Sequence, residues 1–241
     1  MKETSISIIV PVLDEAEGLA ACLSRIEPLR TAGVELIVAD GGSTDDTATI
    51  AQGVADCFVT APRGRASQMN AGARSASGDV LLFLHADTRL PANAIDCIRR
   101  AVATGAQWGR FDVRIEGRPF MLRVVAALMN LRSRLTGIAT GDQAIFVCRS
   151  AFLAVKGYPD IALMEDVALT GALRKASRPA CIRQRVVTSG RRWEKHGVMR
   201  TIVLMWRLRL AYWMGEDPDA LALRYGYRPR THKQEPPGEL R

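Results

Sequence analysis

The sequence predicts an α/β protein built on a doubly wound, mostly parallel sheet with helices on both faces. Three observations carry that prediction. Strand-like and helix-like segments alternate three times before a fourth strand, the order of a parallel half-sheet. That fourth strand, Val80-Leu81-Leu82-Phe83-Leu84, is a short unbroken apolar run, which suits a strand covered on both faces. It runs directly into His85-Ala86-Asp87-Thr88, polar groups at the end of the strand where ligands bind in such sheets.

Residues 5–12 (SISIIVPV) read as the first strand, and Asp14-Glu15-Ala16-Glu17 open a helix to about residue 29, with acids at its positive end. The loop between them lacks Gly-x-Gly-x-x-Gly, and the chain has no Gly-Lys-Ser/Thr phosphate loop. Residues 34–39 are the second strand, ending in Asp40-Gly41-Gly42-Ser43-Thr44-Asp45-Asp46. The glycines permit a tight turn, Ser43 or Thr44 can cap the next helix, and Asp45 and Asp46 suit its first turn. Asp40 is left over, at a strand tip where an acid accepts a hydrogen bond from a ribose or a base. Residues 56–60 are the third strand. Arg63-Gly64-Arg65 then precedes a small-residue helix through Ala76, and arginine beside glycine at a helix start is a phosphate-binding arrangement. Under period-two alternation His85 and Asp87 share a side and suit a metal-bridged phosphate. In the competing reading, Asp87 and Thr88 cap a helix starting near Pro91.

Residues 91–104 read as a helix and 107–116 as an alternating, antiparallel strand. The helix at 118–136 has an apolar face with interspersed arginines, suited to a core, an acceptor site or a membrane. Thr140-Gly141-Asp142-Gln143 leads into a short strand at 144–148, and a helix from 151 ends at Gly157-Tyr158-Pro159. Glu165-Asp166 precede a helix at 167–175. The helix dipole alone favours acids there, yet one of two adjacent carboxylates beside a substrate can act as a general base. Residues 180–187 are a strand, and 188–197 form a polar, basic segment. Its Arg191, Arg192, Trp193 and His196 suit clamping a diphosphate or stacking on a sugar. Residues 198–214 form an apolar helix carrying Arg200, Arg207 and Arg209 with Trp206, Tyr212 and Trp213. That composition fits a docked core helix or an interfacial helix beside anionic lipid. Residues 228–241 are Pro-rich and polar, the composition of a disordered tail.

The 241 residues suit a single domain over 1–227, with a nucleotide-binding half at about 1–104 and an acceptor half at 105–227. Hydrophobic content of 48% with 24% charged residues is that of a core-forming globular protein. The formal net charge of +8 points to an anionic partner: nucleotide, nucleic acid or lipid surface. No apolar run approaches the roughly 18 residues of a spanning helix. The first residues lack a signal-peptide core, so a cytoplasmic protein is expected, with the inner membrane face as a peripheral site. Five cysteines, widely spaced and without a Cys-x-x-Cys pair, argue against zinc or a disulfide framework.

Pro11-Val12-Leu13-Asp14-Glu15, Asp40-Gly41-Gly42-Ser43-Thr44-Asp45, Asn70-Ala71-Gly72, His85-Ala86-Asp87 and Glu165-Asp166 occur in the order found in family 2 glycosyltransferases. Over about residues 5–195 the chain resembles that family. Its variants around Arg63–Asn70, His85–Thr88, Gly141–Gln143 and Ser189–Trp193 look most like a bacterial subfamily labelled radical-SAM/selenodomain-associated transferase 2. Some similar sequences carry a carotenoid-acid glycosyltransferase label. The resemblance implies the GT-A fold, a Rossmann-like sheet joined to a small antiparallel acceptor-side sheet. It implies a UDP-sugar or GDP-sugar donor, Mg²⁺ or Mn²⁺, and inverting transfer to a hydroxyl or carboxyl acceptor, lipid-like or carotenoid-related. Pro11, Asp14, Glu15, Asp40, Arg65, Asn70, His85 and Ala86 would form the nucleotide-sugar site, with Asp40 on base or ribose. Asp87 matches the last acid of the family's Asp-x-Asp motif and would ligate the metal. Asp166, beside Glu165, would be the catalytic base. Asp142, Gln143, Arg191, Arg192, Trp193 and His196 would serve the diphosphate or acceptor. His85 stands where the family usually has an acid, and an imidazole favours Mn²⁺ over Mg²⁺.

Two other readings compete. A sugar nucleotidyltransferase would carry a Gly-rich, basic loop after the first strand, unlike Leu13-Asp14-Glu15. A non-catalytic basic module for membrane or nucleic acid explains the charge but not the acids at strand and helix ends. No nucleic-acid partner is expected of the enzyme.

Overall fold

The structure, a computed structural model, describes residues 3–30 and 33–227; the tail expected at 228–241 lies outside the described residues. Strands β1 (Ile6–Val12), β2 (Val34–Asp40), β3 (Cys57–Thr60) and β4 (Val80–Phe83) are all parallel. Helices α1 (Ala16–Arg30), α2 (Thr47–Gln52) and α3 (Arg65–Ser75) connect them. The chain continues through β5 (Thr88–Arg89), α4 (Ala94–Ala103), β6 (Trp108–Glu116), α5 (Met121–Thr136) and a 3-10 turn, Gly141–Gln143. It ends with β7 (Phe146–Cys148), α6 (Arg149–Ala154), α7 (Glu165–Ala176), β8 (Ala180–Ser189), α8 (Arg191–His196), α9 (Val198–Trp213) and α10 (Pro218–Tyr225). All eight strands join one sheet, in the order β3-β2-β1-β4-β7-β6-β8-β5.

Side-chain alternation splits the core across this sheet. Ile8, Val10, Leu36, Val38, Val80 and Leu82 pack on one face against Leu19, Leu23 and Ile26 of α1 and Ile95 and Ile98 of α4. Ile9, Ile37, Leu81 and Phe83 pack on the other against Ala66 and Met69 of α3 and Leu169 and Leu173 of α7. Every residue of β4 is buried, as an apolar run without polar alternation requires. Phe83 is locked edge-on against Tyr158, with ring centroids 4.9 Å apart.

The link from β4 to β5 bends the sheet. Only residues 84–87 separate the two strands, yet β5 lies four strands away at the far edge. Four flat spacings of about 4.8 Å would place them about 19 Å apart. Five Cα steps reach about 17 Å at full extension. The link is not extended, because the Thr88 N–H donates to the His85 carbonyl at 3.0 Å, closing a β-turn. The β7-β6-β8-β5 part of the sheet therefore curls back over the end of β4.

Several expectations need correction. Asp87 and Thr88 cap no helix: α4 begins at Ala94, and Asn93 precedes it. His85 and Asp87 lie in the turn rather than alternating along a strand. β6 is antiparallel to β7 but parallel to β8, and the acceptor-side strands continue the main sheet. Ser43 and Thr44 do not cap α2; their side chains bond Asp40 and Asp14 instead. The strand expected at 180–187 runs on through Ser189, and residues 191–196 of the basic segment form α8, whose Trp193 packs on the core. α10 was not foreseen.

Gly109 shows how tightly the curled part closes. A Cβ there would sit 2.4 Å from the Ala180 carbonyl oxygen and 2.5 Å from the Phe146 ring. A backbone oxygen cannot swing aside, so Gly109→Ala is expected to lose about 1–3 kcal/mol in urea unfolding. Gly18→Ala, with open space around it, is the control and should be near neutral or stabilising.

Candidate active site

The curl encloses a cavity of about 890 Å³ at the carboxyl ends of the parallel strands. Its floor is Pro11, Val12 and Leu13 at the tip of β1, followed by Glu15. Arg65 and Gln68 enter from α3, His85, Ala86 and Asp87 from the β4–β5 turn, and Gly141 and Asp142 from the 3-10 turn. Glu165 and Asp166 come from the start of α7, and Thr188, Ser189, Arg191, Arg192 and Trp193 from β8 and α8. Helices α5 and α9 close the remaining wall with Leu128, Leu131, Arg132, Ile202, Met205 and Trp206.

The β1–β2 end is fixed by Gln68, whose buried amide donates to the Val12 carbonyl at 2.6 Å and the Ala39 carbonyl at 3.0 Å. Gly41 is required beside it, because a Cβ there would meet that amide at 3.0 Å. The His85 ring lies against Gly141, where a Cβ would come within 2.4 Å of Nε2 and Cε1. Its Nδ1 is 3.6 Å from Asp142 Oδ1. Both nitrogens thus face the 3-10 turn. Desolvation raises the Asp142 pKa, but the nearby His85, then Arg65 and Thr188, outweigh it and hold the carboxyl below its usual range.

The carboxylates of α7 behave differently from one another. Asp166 accepts from the Gly141 N–H at 2.9 Å and the Val167 N–H at 2.6 Å. Burial raises its pKa while these donors pull it back. Glu165 is pushed up to about 7, first by desolvation, then by the Asp166 charge, with Arg65 opposing both. Backbone donors thus offset part of the desolvation at Asp166, whereas Glu165 carries the larger upward push. Arg65 answers these acids: burial disfavours its charge, but Glu165, Tyr225, Asp142 and Asp166 together raise its pKa. Glu15 sits near Asp87 and Arg191, and desolvation followed by the Asp87 charge raises its pKa.

Backbone strain gathers here. Asp14 (φ 51), Ala144 (φ 46) and Met164 (φ 71) hold left-handed conformations beside Glu15, the 3-10 turn and Glu165. Such residues each cost about 1–3 kcal/mol and persist where surrounding contacts over-determine them.

Of the residues singled out from the sequence, Pro11, Glu15, Arg65, His85, Ala86, Asp87, Asp142, Glu165, Asp166, Arg191, Arg192 and Trp193 meet at this cavity. The others lie off its lining. Asp40 is buried, accepting from the Gly42 N–H at 2.9 Å, the Ser43 N–H at 3.0 Å and the Ser43 hydroxyl. Asp14 accepts from the Thr44 N–H at 2.8 Å. Asn70 clamps the Tyr158 backbone, donating to its carbonyl at 2.8 Å and accepting from its N–H at 3.0 Å. Gln143 is buried and donates to the Ser133 hydroxyl at 3.1 Å. His196 is exposed on α8. The sequence reading gave no separate role to Gln68, Arg132, Thr140, Thr188, Tyr225 or Tyr227, all of which line the cavity. Tyr225 stacks on Arg192, whose guanidinium lies 3.5 Å from the ring centre. The Arg224-Tyr225 end of a short helix gives no warning of that contact.

A cavity with carboxylates and arginines at the end of a parallel sheet is one that many nucleotide-using families share. The model of glycosyl transferase family 2 matches residues 7–153. The chain belongs to family 2 of the glycosyltransferases. The matched span contains Asp87 and Asp142 and stops before Glu165 and Asp166. An uncharacterized glycosyltransferase of Mycobacterium tuberculosis is 28% identical over 148 residues, 56% of this chain and 62% of that protein. A PGL/p-HBAD biosynthesis glycosyltransferase of the same species is 40% identical over 91 residues, 35% of this chain and 36% of its own length. The chain therefore spans less than two thirds of these relatives.

Among solved structures, a mannosyltransferase from Pyrobaculum calidifontis, in complex with GDP-Man and Mn²⁺, is similar with TM-score 0.62. It is 21% identical, and the match covers 95% of this chain and 66% of that one. Glucosyl-3-phosphoglycerate synthase from M. tuberculosis, in complex with Mn²⁺, UDP and glucosyl-3-phosphoglycerate, also has TM-score 0.62, at 17% identity over 93% of this chain and 81% of that one. The shared architecture is the GT-A fold. No helix among the described residues is long and apolar enough to cross a membrane.

The raised Glu165 pKa has a stability consequence. Between its unfolded value of 4.5 and about 7 the folded state binds the extra proton, so stability falls as pH rises through that window. Glu165→Gln removes the penalty. The variant should be more stable than the parent by roughly 1–3 kcal/mol at pH 8, and the difference should close near pH 4, as read by urea unfolding at both pH values.

Proposed function

We propose that this chain is a metal-dependent, inverting glycosyltransferase that moves a sugar from a UDP- or GDP-linked donor to a hydroxyl or carboxyl acceptor. The observation that carries this reading is the meeting of Asp87, Asp142, Glu165, Asp166, Arg65, Arg191 and Arg192 at one cavity. The mannosyltransferase held with GDP-Man and Mn²⁺ and the synthase held with UDP and Mn²⁺ support the donor and metal classes.

Asp166 is the base. Its two backbone donors favour the carboxylate, while desolvation raises its pKa and so its basicity. It takes the acceptor proton as the acceptor oxygen attacks the anomeric carbon in line, and the nucleoside diphosphate leaves from the opposite side. Arg65, Arg191 and Arg192 are placed to receive the charge that develops on the leaving group.

The described residues contain no cluster of three ligating side chains. Asp87 is nevertheless exposed in the cavity with one contact, from the Thr88 hydroxyl at 3.4 Å. Asp87 would be the protein ligand of a hard cation, which takes oxygen donors and can keep several waters. When bound there, Mg²⁺ or Mn²⁺ neutralises diphosphate charge. His85, turned toward Gly141 and Asp142, orients Asp142 rather than completing a metal shell.

The acceptor side is apolar. Leu128 and Leu131 on α5 and Trp206 and Leu210 on α9 are exposed, and Arg200, Arg207 and Arg209 sit on α9 among them. This supports a lipid-like acceptor met at an anionic membrane surface. Co-sedimentation with anionic liposomes is expected at low salt and should weaken at high salt; no binding at low salt would remove the membrane part of the reading.

Calorimetry with nucleoside diphosphates, with and without Mn²⁺, tests the core of the reading. Asp166→Asn should retain metal-dependent binding, while nucleoside diphosphate release from the nucleotide sugar falls about 10²–10⁴-fold. Unchanged turnover in that variant would remove Asp166 as the base. Asp87→Asn should instead lose the Mn²⁺-dependent part of binding.

A further inference from the structure

Among the described residues, three buried arginine nitrogens have no hydrogen-bond partner: Arg110 Nε, Arg132 Nε and Arg132 Nη2. Buried polar groups are rarely left unpaired, and each exception needs a reason. Arg110 is held through its other nitrogens by Asp112 and by the Asn130 carbonyl at 3.2 Å. The remaining two atoms belong to Arg132, which lines the cavity.

Nε–H and Nη2–H lie along one edge of the guanidinium. That edge takes a carboxylate or phosphate through two parallel hydrogen bonds. Guanidinium nitrogens buried without a partner are costly, and desolvation pulls the Arg132 pKa below its ordinary value, with the Asp166 charge opposing it. Leu128 and Leu131 of α5 and Met205 and Trp206 of α9 supply apolar lining on the same wall.

We propose that Arg132 binds the anionic oxyacid group, carboxylate or phosphate, of an amphiphilic acceptor whose apolar part lies along α5 and α9. Calling that ligand the acceptor rests on the glycosyltransferase reading; the anion site does not. Its charge complements the guanidinium edge of Arg132, whose buried Nε and Nη2 have no partner, and its length of hydrocarbon covers leucines that are otherwise exposed. Arg132 is a specificity-determining residue here, because it holds the ligand and touches no reacting atom.

The test titrates tryptophan fluorescence of the full chain with dodecyl phosphate, dodecanoate, dodecanol and inorganic phosphate. Trp193 and Trp206 line the cavity and report on its filling. Both anionic amphiphiles should bind at least about tenfold more tightly than dodecanol, and dodecyl phosphate more tightly than inorganic phosphate. Whichever of the two anionic amphiphiles binds better distinguishes a phosphate from a carboxylate head. Arg132→Met should bring both down to the affinity of the alcohol. It should melt no lower than the parent, because it removes a buried unpaired charge, and it should leave Mn²⁺-dependent nucleoside diphosphate binding unchanged. Arg132→Lys should recover only part of the selectivity. Equal affinity for alcohol and anions in the parent chain would overturn the proposal. So would a variant that loses nucleoside diphosphate binding, which would put Arg132 on the donor, or one that melts lower with selectivity intact, which would make it structural. Failure of nucleoside diphosphate binding in the parent would count against the glycosyltransferase reading while the anion selectivity is still read separately.

Discussion

The four-residue link at 84–87 is the constraint on which the rest of the molecule depends. It joins the centre of the sheet to its far edge, and it is too short to do so across a flat sheet. The sheet must curl, and curling puts the 3-10 turn, the start of α7 and the end of β8 over the tips of the parallel strands. Small residues sit where the curl is tightest: Gly109 between β6 and β8, Gly141 under the His85 ring, and Gly190 against the Glu116 carbonyl, where a Cβ would come within 2.2 Å.

The same curl gathers charges that would otherwise be kept apart. Asp142, Glu165 and Asp166 converge near Arg65, and Glu15 faces Asp87 near Arg191. The fold tolerates this through three devices. Backbone donors hold Asp166, the His85 imidazole stands 3.6 Å from Asp142, and the Glu165 pKa is pushed up to about 7. Strained residues at Asp14, Ala144 and Met164 aim the supporting loops. A site held this way has its polar groups arranged before a ligand arrives, which is where electrostatic catalysis gets its strength.

Much of the architecture was legible in the sequence because β1, β2 and β4 are apolar runs with glycine or proline near their ends. The acids of the site were legible because they stand at strand or helix ends, where no packing role explains them. What the sequence hid depends on partners distant in the chain. Gln68 bonds the Val12 carbonyl 56 residues away, and β5 exists only because Thr88 and Arg89 pair with Thr188 and Val187. Asn70 and Gln143 belong to the motifs but serve the scaffold, and α8 and α10 are too short for periodicity to reveal. The arginines of α5 were visible, but nothing local tells Arg134, paired with Asp112, from Arg132, whose guanidinium edge is unpaired.

The central claim is that a divalent cation and a nucleoside diphosphate meet at the turn that links β4 to β5. Paramagnetic broadening of backbone amide resonances by substoichiometric Mn²⁺ tests it most directly. With a nucleoside diphosphate present, the amides of Ala86, Asp87 and Thr88 should broaden first, those of Gly141 and Arg191 next, and those of Gly105 and Gly215 not at all. Broadening centred elsewhere, or the same broadening without nucleotide, would contradict a shared metal and diphosphate site at Asp87.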